Sequence, residues 1–195
     1  MTDLSQLIPE IQRLLPESQR KLSDYVAFLH WQESLATQVP AVMWSYSFIE
    51  MFNQATIATS QEAKGMHIQM DLAQVGGETR PALWAHPPVV GQAVLEYQVA
   101  IPKTLQQVSL RVAVGIRDGS RIVPSNLVAF SVRVNGMRVW GKQTNSLHWQ
   151  EVEIPLNLPV GDVSRFEFAT EALGSHQWTW AVWGEPELVG WVGEE

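Results

Sequence analysis

The chain has 195 residues, 13 basic and 20 acidic side chains for a net charge of −7, nine Trp, no Cys and 46% hydrophobic residues. That apolar share excludes a disordered chain, and the missing Cys excludes disulfides, thiolate catalysis, zinc–cysteine sites and iron–sulfur clusters. The acidic balance without a basic run speaks against nucleic acid as the main partner, and no stretch reaches the ~20 apolar residues of a membrane-spanning helix.

The N-terminus, Met1 to Glu10, carries Asp3 and lacks the positive start and apolar core of a secretory signal, so the cytoplasm is the expected location. Leu4, Leu7, Ile8, Ile11, Leu14 and Leu15 then recur at helical spacing, capped by Thr2 or Asp3. Pro16 either stops this helix or opens the next as its first-turn residue. A second apolar stripe follows at Leu22, Tyr25, Val26 and Leu29, with Phe28, Trp31 and Leu35 on an adjacent face. The pattern predicts an N-terminal α-helical hairpin over residues 1–38. A piece this small cannot bury both faces alone, so it is expected to dock or to self-associate into a homo-oligomer.

The period changes to two from Met43 onward, and residues 39–195 read as a mainly β domain. Trp44, Tyr46 and Phe48 alternate with serines, and Met66, Ile68, Met70 and Leu72 alternate with polar residues. Leu95 to Ile101, Val108 to Ile116 and Val128 to Val134 alternate in the same way. Asn135-Gly136 joins the last of these to Met137–Trp140 and predicts a tight hairpin, because a type I′ turn needs positive φ at both positions. Val152 with Ile154, Phe166 with Phe168, and Trp178, Trp180 and Val182 supply the remaining strands. Turn residues such as Gly76-Gly77, Asp118-Gly119 and Gly161-Asp162 separate them. Short, regularly spaced strands with no βαβ alternation predict an antiparallel β-sandwich.

Three segments carry a family resemblance: the run from Gly76 through Arg80, Leu83 and His86 to Pro88, the hairpin Phe130-Ser131-Val132-Arg133-Val134-Asn135-Gly136, and Trp180-Ala181-Val182-Trp183-Gly184-Glu185-Pro186-Glu187-Leu188. In them the chain resembles the galactose-binding-like jelly roll, and within it a group of carbohydrate-binding modules. The likeness runs from about Trp44 to Val189 and differs from the family pattern at Glu185, where Asp is commoner. It implies a sandwich fold and a saccharide or related polar ligand. The helical step at Leu15–Ser18 with Tyr25–Leu29 is loosely similar to a short segment of antitoxin-like proteins, which implies nothing beyond a docking or dimerisation hairpin.

The expected ligand-binding residues are Arg80, Trp84, His86, Trp149 and Trp178. Arg80 offers a planar fork of donors suited to a carboxylate or a sugar diol, and His86 before Pro87-Pro88 sits in extended backbone. The competing reading makes Arg80 and His86 buried partners that fix the fold, for instance through Glu185. Sugars stack on exposed aromatic faces, and Trp84, Trp149 and Trp178 stand nearest turns, whereas Trp44, Trp140 and Trp180 read as core. The pairs Glu151/Glu153 and Glu185/Glu187 have the spacing that puts two carboxylates on one strand face, as does any solvated strand. Asp118, Ser120 and Asn126 lie in a loop whose oxygens could hold a structural Ca²⁺, a site frequent in the resembled class. The five His are scattered, no catalytic motif is present, and no metal or cofactor is expected. The sequence thus predicts a non-catalytic binding module for carbohydrate or a related polar ligand. The alternative is a cytoplasmic assembly factor that meets a protein partner through Trp-rich faces and the hairpin.

Overall fold

The computed structural model describes residues 11, 13–23, 25–26, 44–59, 68–121 and 123–192. The chain divides into two compact units, Met1–Ala41 and Val42–Glu195. In the first, residues 16–23 are helical, so Pro16 opens a helix, at a position where its missing N–H would have had no partner. The amides of Ser18 and Gln19 donate to the Leu15 carbonyl at 2.9 and 3.0 Å, and Glu17 and Lys21 pair one turn apart at 3.0 Å. The start of the expected first helix, and Phe28, Leu29, Trp31 and Leu35 of the second, lie outside the described residues. No helix among the described residues is long and apolar enough to cross a membrane.

The second unit is a β-sandwich. Its strands are β1 (Trp44–Ser47), β2 (Thr56–Thr59), β3 (Ile68–Val75), β4 (Glu78–Ala85), β5 (Gln92–Ala100), β6 (Gln107–Ile116), β7 (Val128–Val134), β8 (Met137–Thr144), β9 (Gln150–Leu156), β10 (Val163–Ala172) and β11 (Ala181–Trp191). The first sheet runs β3-β4-β11-β6-β9, with β1 also paired to β11, and the second runs β2-β5-β10-β7-β8. Every pairing is antiparallel. The predicted Asn135-Gly136 hairpin is present, with φ of 50° and 82°, and the Asn135 side chain accepts from the Arg165 amide at 2.8 Å.

The inner faces interlock around Phe48, Tyr97, Phe166, Phe168, Phe130 and Trp183, all fully buried. Phe48 meets Phe168, Tyr97 and Tyr46 edge-on at 4.8, 5.0 and 5.1 Å between centroids, and Trp183 meets Phe130 and Phe168 at 5.1 and 5.3 Å. Burial raises the pKa of both Tyr97 and Tyr46, so both phenols stay neutral. The long β6 alternation holds: Val108, Leu110, Val112, Val114 and Ile116 are all buried.

Two sequence expectations change. Met70 and Leu72 are exposed at 47% and 60%, while Ala73 and Val75 on the opposite face of β3 are buried. The reason is a second, smaller cluster of Ala73, Val75, Ala82 and Val182 under Trp84 and Trp149. It lies on the outer face of the first sheet, where Val182 pairs with Trp84 and Gly115 and Gly184 pairs with Ala82 and Ala113. That second layer also explains why β4 shows no clean alternation: Leu83 and Ala85 enter the main core while Ala82 joins the outer cluster. Finally, Trp178 and Trp180 are not on the closing strand. β11 begins at Ala181, and Trp178 stands in the turn before it at a left-handed φ of 65° that a strand does not accommodate.

Candidate functional site

The five expected ligand residues separate into two groups. Arg80 and Trp149 form one, on the outer face of the first sheet. The Arg80 guanidinium sits 2.7 Å from Glu78 and 2.5 Å from Glu151, with Glu185 at 3.9 Å. Its hydrogen bonds to Glu78 and Glu151 raise its pKa further above the ordinary arginine range. It also lies 5.4 Å from the Trp149 ring centroid. Trp149 donates its indole N–H to the Glu78 carbonyl at 3.1 Å and packs so closely on Gly184 that a Cβ there would stand 2.8 Å from the ring. Donors of Arg80 are thus engaged by carboxylates of the same chain, and the half-buried Trp149 packs over the outer cluster.

The paired acids share this surface. Glu151 pairs with Arg80, and Glu153 lies 3.4 Å from Arg111. Glu185 stands in a β-bulge between Gly184 and Glu187, at φ 44°, so the expected even spacing of Glu185 and Glu187 on one strand face is broken. Each carboxylate of the Glu151/Glu153 pair faces an arginine instead of sharing a proton with its neighbour.

The second group is a row of stacked rings. Trp84 lies parallel to His86 at 6.2 Å, and His86 parallel to Trp180 at 6.3 Å, with interplanar angles of 14° and 13°. Trp180 meets Trp178 at 5.4 Å, tilted by 47°. Arginines cap the row: Arg117 lies 3.4 Å over Trp84 and 5.5 Å from Trp180, and Arg121 lies 5.1 Å over Trp178. Burial lowers the Arg117 pKa, opposed by the charge of Asp71. Gln177, Trp178 and Trp180 line a shallow open cup of about 450 Å³, and Trp178 is 39% exposed.

Backbone contacts fix this geometry. The Arg117 amide donates to the Trp180 carbonyl at 3.0 Å, and the Ser120 hydroxyl donates to the Trp178 carbonyl. Thr179, buried, donates its hydroxyl to the His176 carbonyl at 2.5 Å. Gly119, at φ 83°, leaves the space that Trp180 fills, since a Cβ there would stand 3.3 Å from its Cζ3. Asp118 accepts from the amides of Gly76 and Gly77 at 2.8 and 2.9 Å, tying the β6–β7 loop to the β3–β4 turn. Asp118 and Ser120, two of the three residues suggested for a Ca²⁺ loop, thus make hydrogen bonds to other parts of the chain. Among the described residues no group of three His, Asp or Glu is arranged to hold a metal ion.

Trp84, His86 and Trp178 are thus brought together, with Trp84 and His86 as the inner rungs and Trp178 at the open end. Sequence reasoning placed Trp180 in the core and passed over Gln177, Arg117 and Arg121. The available signal was the pair of arginines flanking the Asp118-Gly119 turn, but nothing in the sequence links that turn to a loop 60 residues later.

The sequence matches no protein-family model, and no curated protein is similar to it. Solved structures are similar in fold. The tandem CBM51 modules of the family 98 glycoside hydrolase from Streptococcus pneumoniae SP3-BS71 share 9% identity at a TM-score of 0.58, over 78% of this chain and 49% of that one. CBM51-2 with the INT domains of ZmpB from Clostridium perfringens, in complex with GlcNAc, shares 9% identity at a TM-score of 0.50, over 77% of this chain and 32% of that one. This chain spans about half the length of the first and a third of the second. The second unit shares the β-sandwich fold of these CBM51 modules.

Proposed function

We propose that the protein is a non-catalytic saccharide-binding module whose ligand lies in the cup formed by Gln177, Trp178 and Trp180. The observation that carries this reading is the backbone of Trp178. A bulky aromatic residue held at positive φ costs on the order of 1 kcal/mol or more, and here it presents an indole at the surface rather than in the core. Its loop is pinned on both sides by hydrogen bonds, so little ordering remains for a ligand to impose. Pyranose C–H edges stack on the electron-rich indole face, and the Gln177 amide can donate to and accept from hydroxyls. The shared fold supports the reading, since CBM51-2 of ZmpB was solved with GlcNAc.

The test is a titration of intrinsic Trp fluorescence with a panel of neutral and acidic monosaccharides and their methyl glycosides. Binding is expected with at least one sugar, and Trp178→Ala should weaken it by tenfold or more, as the loss of a central Trp anchor typically does. A response to no sugar, or an affinity unchanged in Trp178→Ala, would overturn it.

A further inference from the structure

Resting on that reading, we infer that the saccharide taken at the Trp178 cup is anionic, a sugar bearing a carboxylate or a sulfate. Four arginines elsewhere in the sandwich, Arg80, Arg111, Arg133 and Arg165, each stand within 4.0 Å of a carboxylate, and Arg138 turns back to donate to the Trp140 carbonyl at 3.5 Å. The two arginines of the β6–β7 loop differ. Arg117 and Arg121 stack on indoles, and among the described residues neither has a carboxylate at ion-pair distance. Asp71 acts on Arg117 through its charge, and Asp118, adjacent to Arg117 in sequence, accepts hydrogen bonds from Gly76 and Gly77.

Arg121 is exposed and lies 5.1 Å over Trp178, one of the three residues lining the cup. A guanidinium stacked on a ring keeps its in-plane N–H donors available at the ring's edge. Ser120, its immediate neighbour, donates to the Trp178 carbonyl, which holds the backbone of the Arg121 loop beside the Trp178 loop. A sugar ring on the indole would therefore present an acidic substituent to a planar fork of donors, the geometry that recognises carboxylate and sulfate oxygens. A neutral hexose leaves that positive charge unanswered.

The experiment compares galactose, galacturonate and galactose 6-sulfate by Trp fluorescence on the full chain, at low salt and at about 0.5 M salt, where charge effects are screened within a few ångströms. At least one of the two acidic sugars should bind about tenfold more tightly than galactose at low salt, as a charge-assisted contact provides. The preference should shrink at high salt and fall to near unity in Arg121→Gln, with Arg121→Lys keeping part of it. The two acidic probes separate a carboxylate ligand from a sulfate ligand. Galactose bound as tightly as both acidic sugars, or a preference that persists in Arg121→Gln, overturns the anionic assignment and leaves the saccharide reading standing. If no sugar of either kind binds, both fall together.

Discussion

The two clusters beside the first sheet are built from the same residue types and differ in what is left over. Around Arg80, guanidinium and indole are consumed inside the chain: Glu78 and Glu151 take the charge, the Glu78 carbonyl takes the Trp149 N–H, and Gly184 takes the ring face. Around Trp178, guanidinium and indole meet each other and, among the described residues, no acid at ion-pair distance, on a loop held in strained backbone at the surface. An arginine beside a tryptophan is internally paired in one place and open at the surface in the other. What distinguishes them is whether each donor and each ring face already has a partner, not which residues are present.

Variants can break that contrast. Gly184→Ala carries the largest expected effect, about 1–3 kcal/mol of stability, because its Cβ would drive into the Trp149 ring, whose N–H anchors it in place. Denaturant unfolding should show the loss, with sugar affinity unaltered in the protein that remains folded. Arg80→Ala should lower stability by about 1–2 kcal/mol, moderated by the exposure of its carboxylate partners, again without altering sugar binding. A loss of sugar affinity in either variant would erase the distinction between the two clusters. Trp178→Gly should behave in the opposite sense. Removing the strained left-handed tryptophan should hold or raise the melting midpoint by up to about 1 kcal/mol of stability while sugar binding disappears. A clear drop in the midpoint would make Trp178 a structural residue instead.

Much of the sandwich was legible because one period-two signal governs strands with a single buried face. β6 and the Asn135-Gly136 hairpin are where the sequence says, since alternation and turn chemistry there answer to one core. The failure at β3 has a physical cause. β3 and β4 contribute to two hydrophobic layers, so the small residues Ala73 and Ala82 count as interior while Met70 and Leu72 do not. Composition cannot reveal the second layer, because what builds it is the fit of two indoles over small residues from different strands. The candidate site was half legible. Trp178 was expected near a turn and stands at one, and Arg80 with Glu185 had a structural role as its competing reading. The partnership of Trp178 with Arg121 was invisible, since it depends on a hydrogen bond between loops far apart in sequence and on a φ value that no residue type announces.

The position of β11 has a consequence for how the molecule comes into being. The strand made last lies in the middle of the first sheet, flanked by β4 on one side and β6 on the other, and also paired with β1. During synthesis β4 and β6 therefore wait with unpaired edges until residues beyond Ala181 emerge, and the sheet closes only through contacts that span most of the domain. Such topology folds slowly and late, so the nascent domain depends on its final segment, and the same strand that ends at Trp191 also completes the wall on which the aromatic row rests.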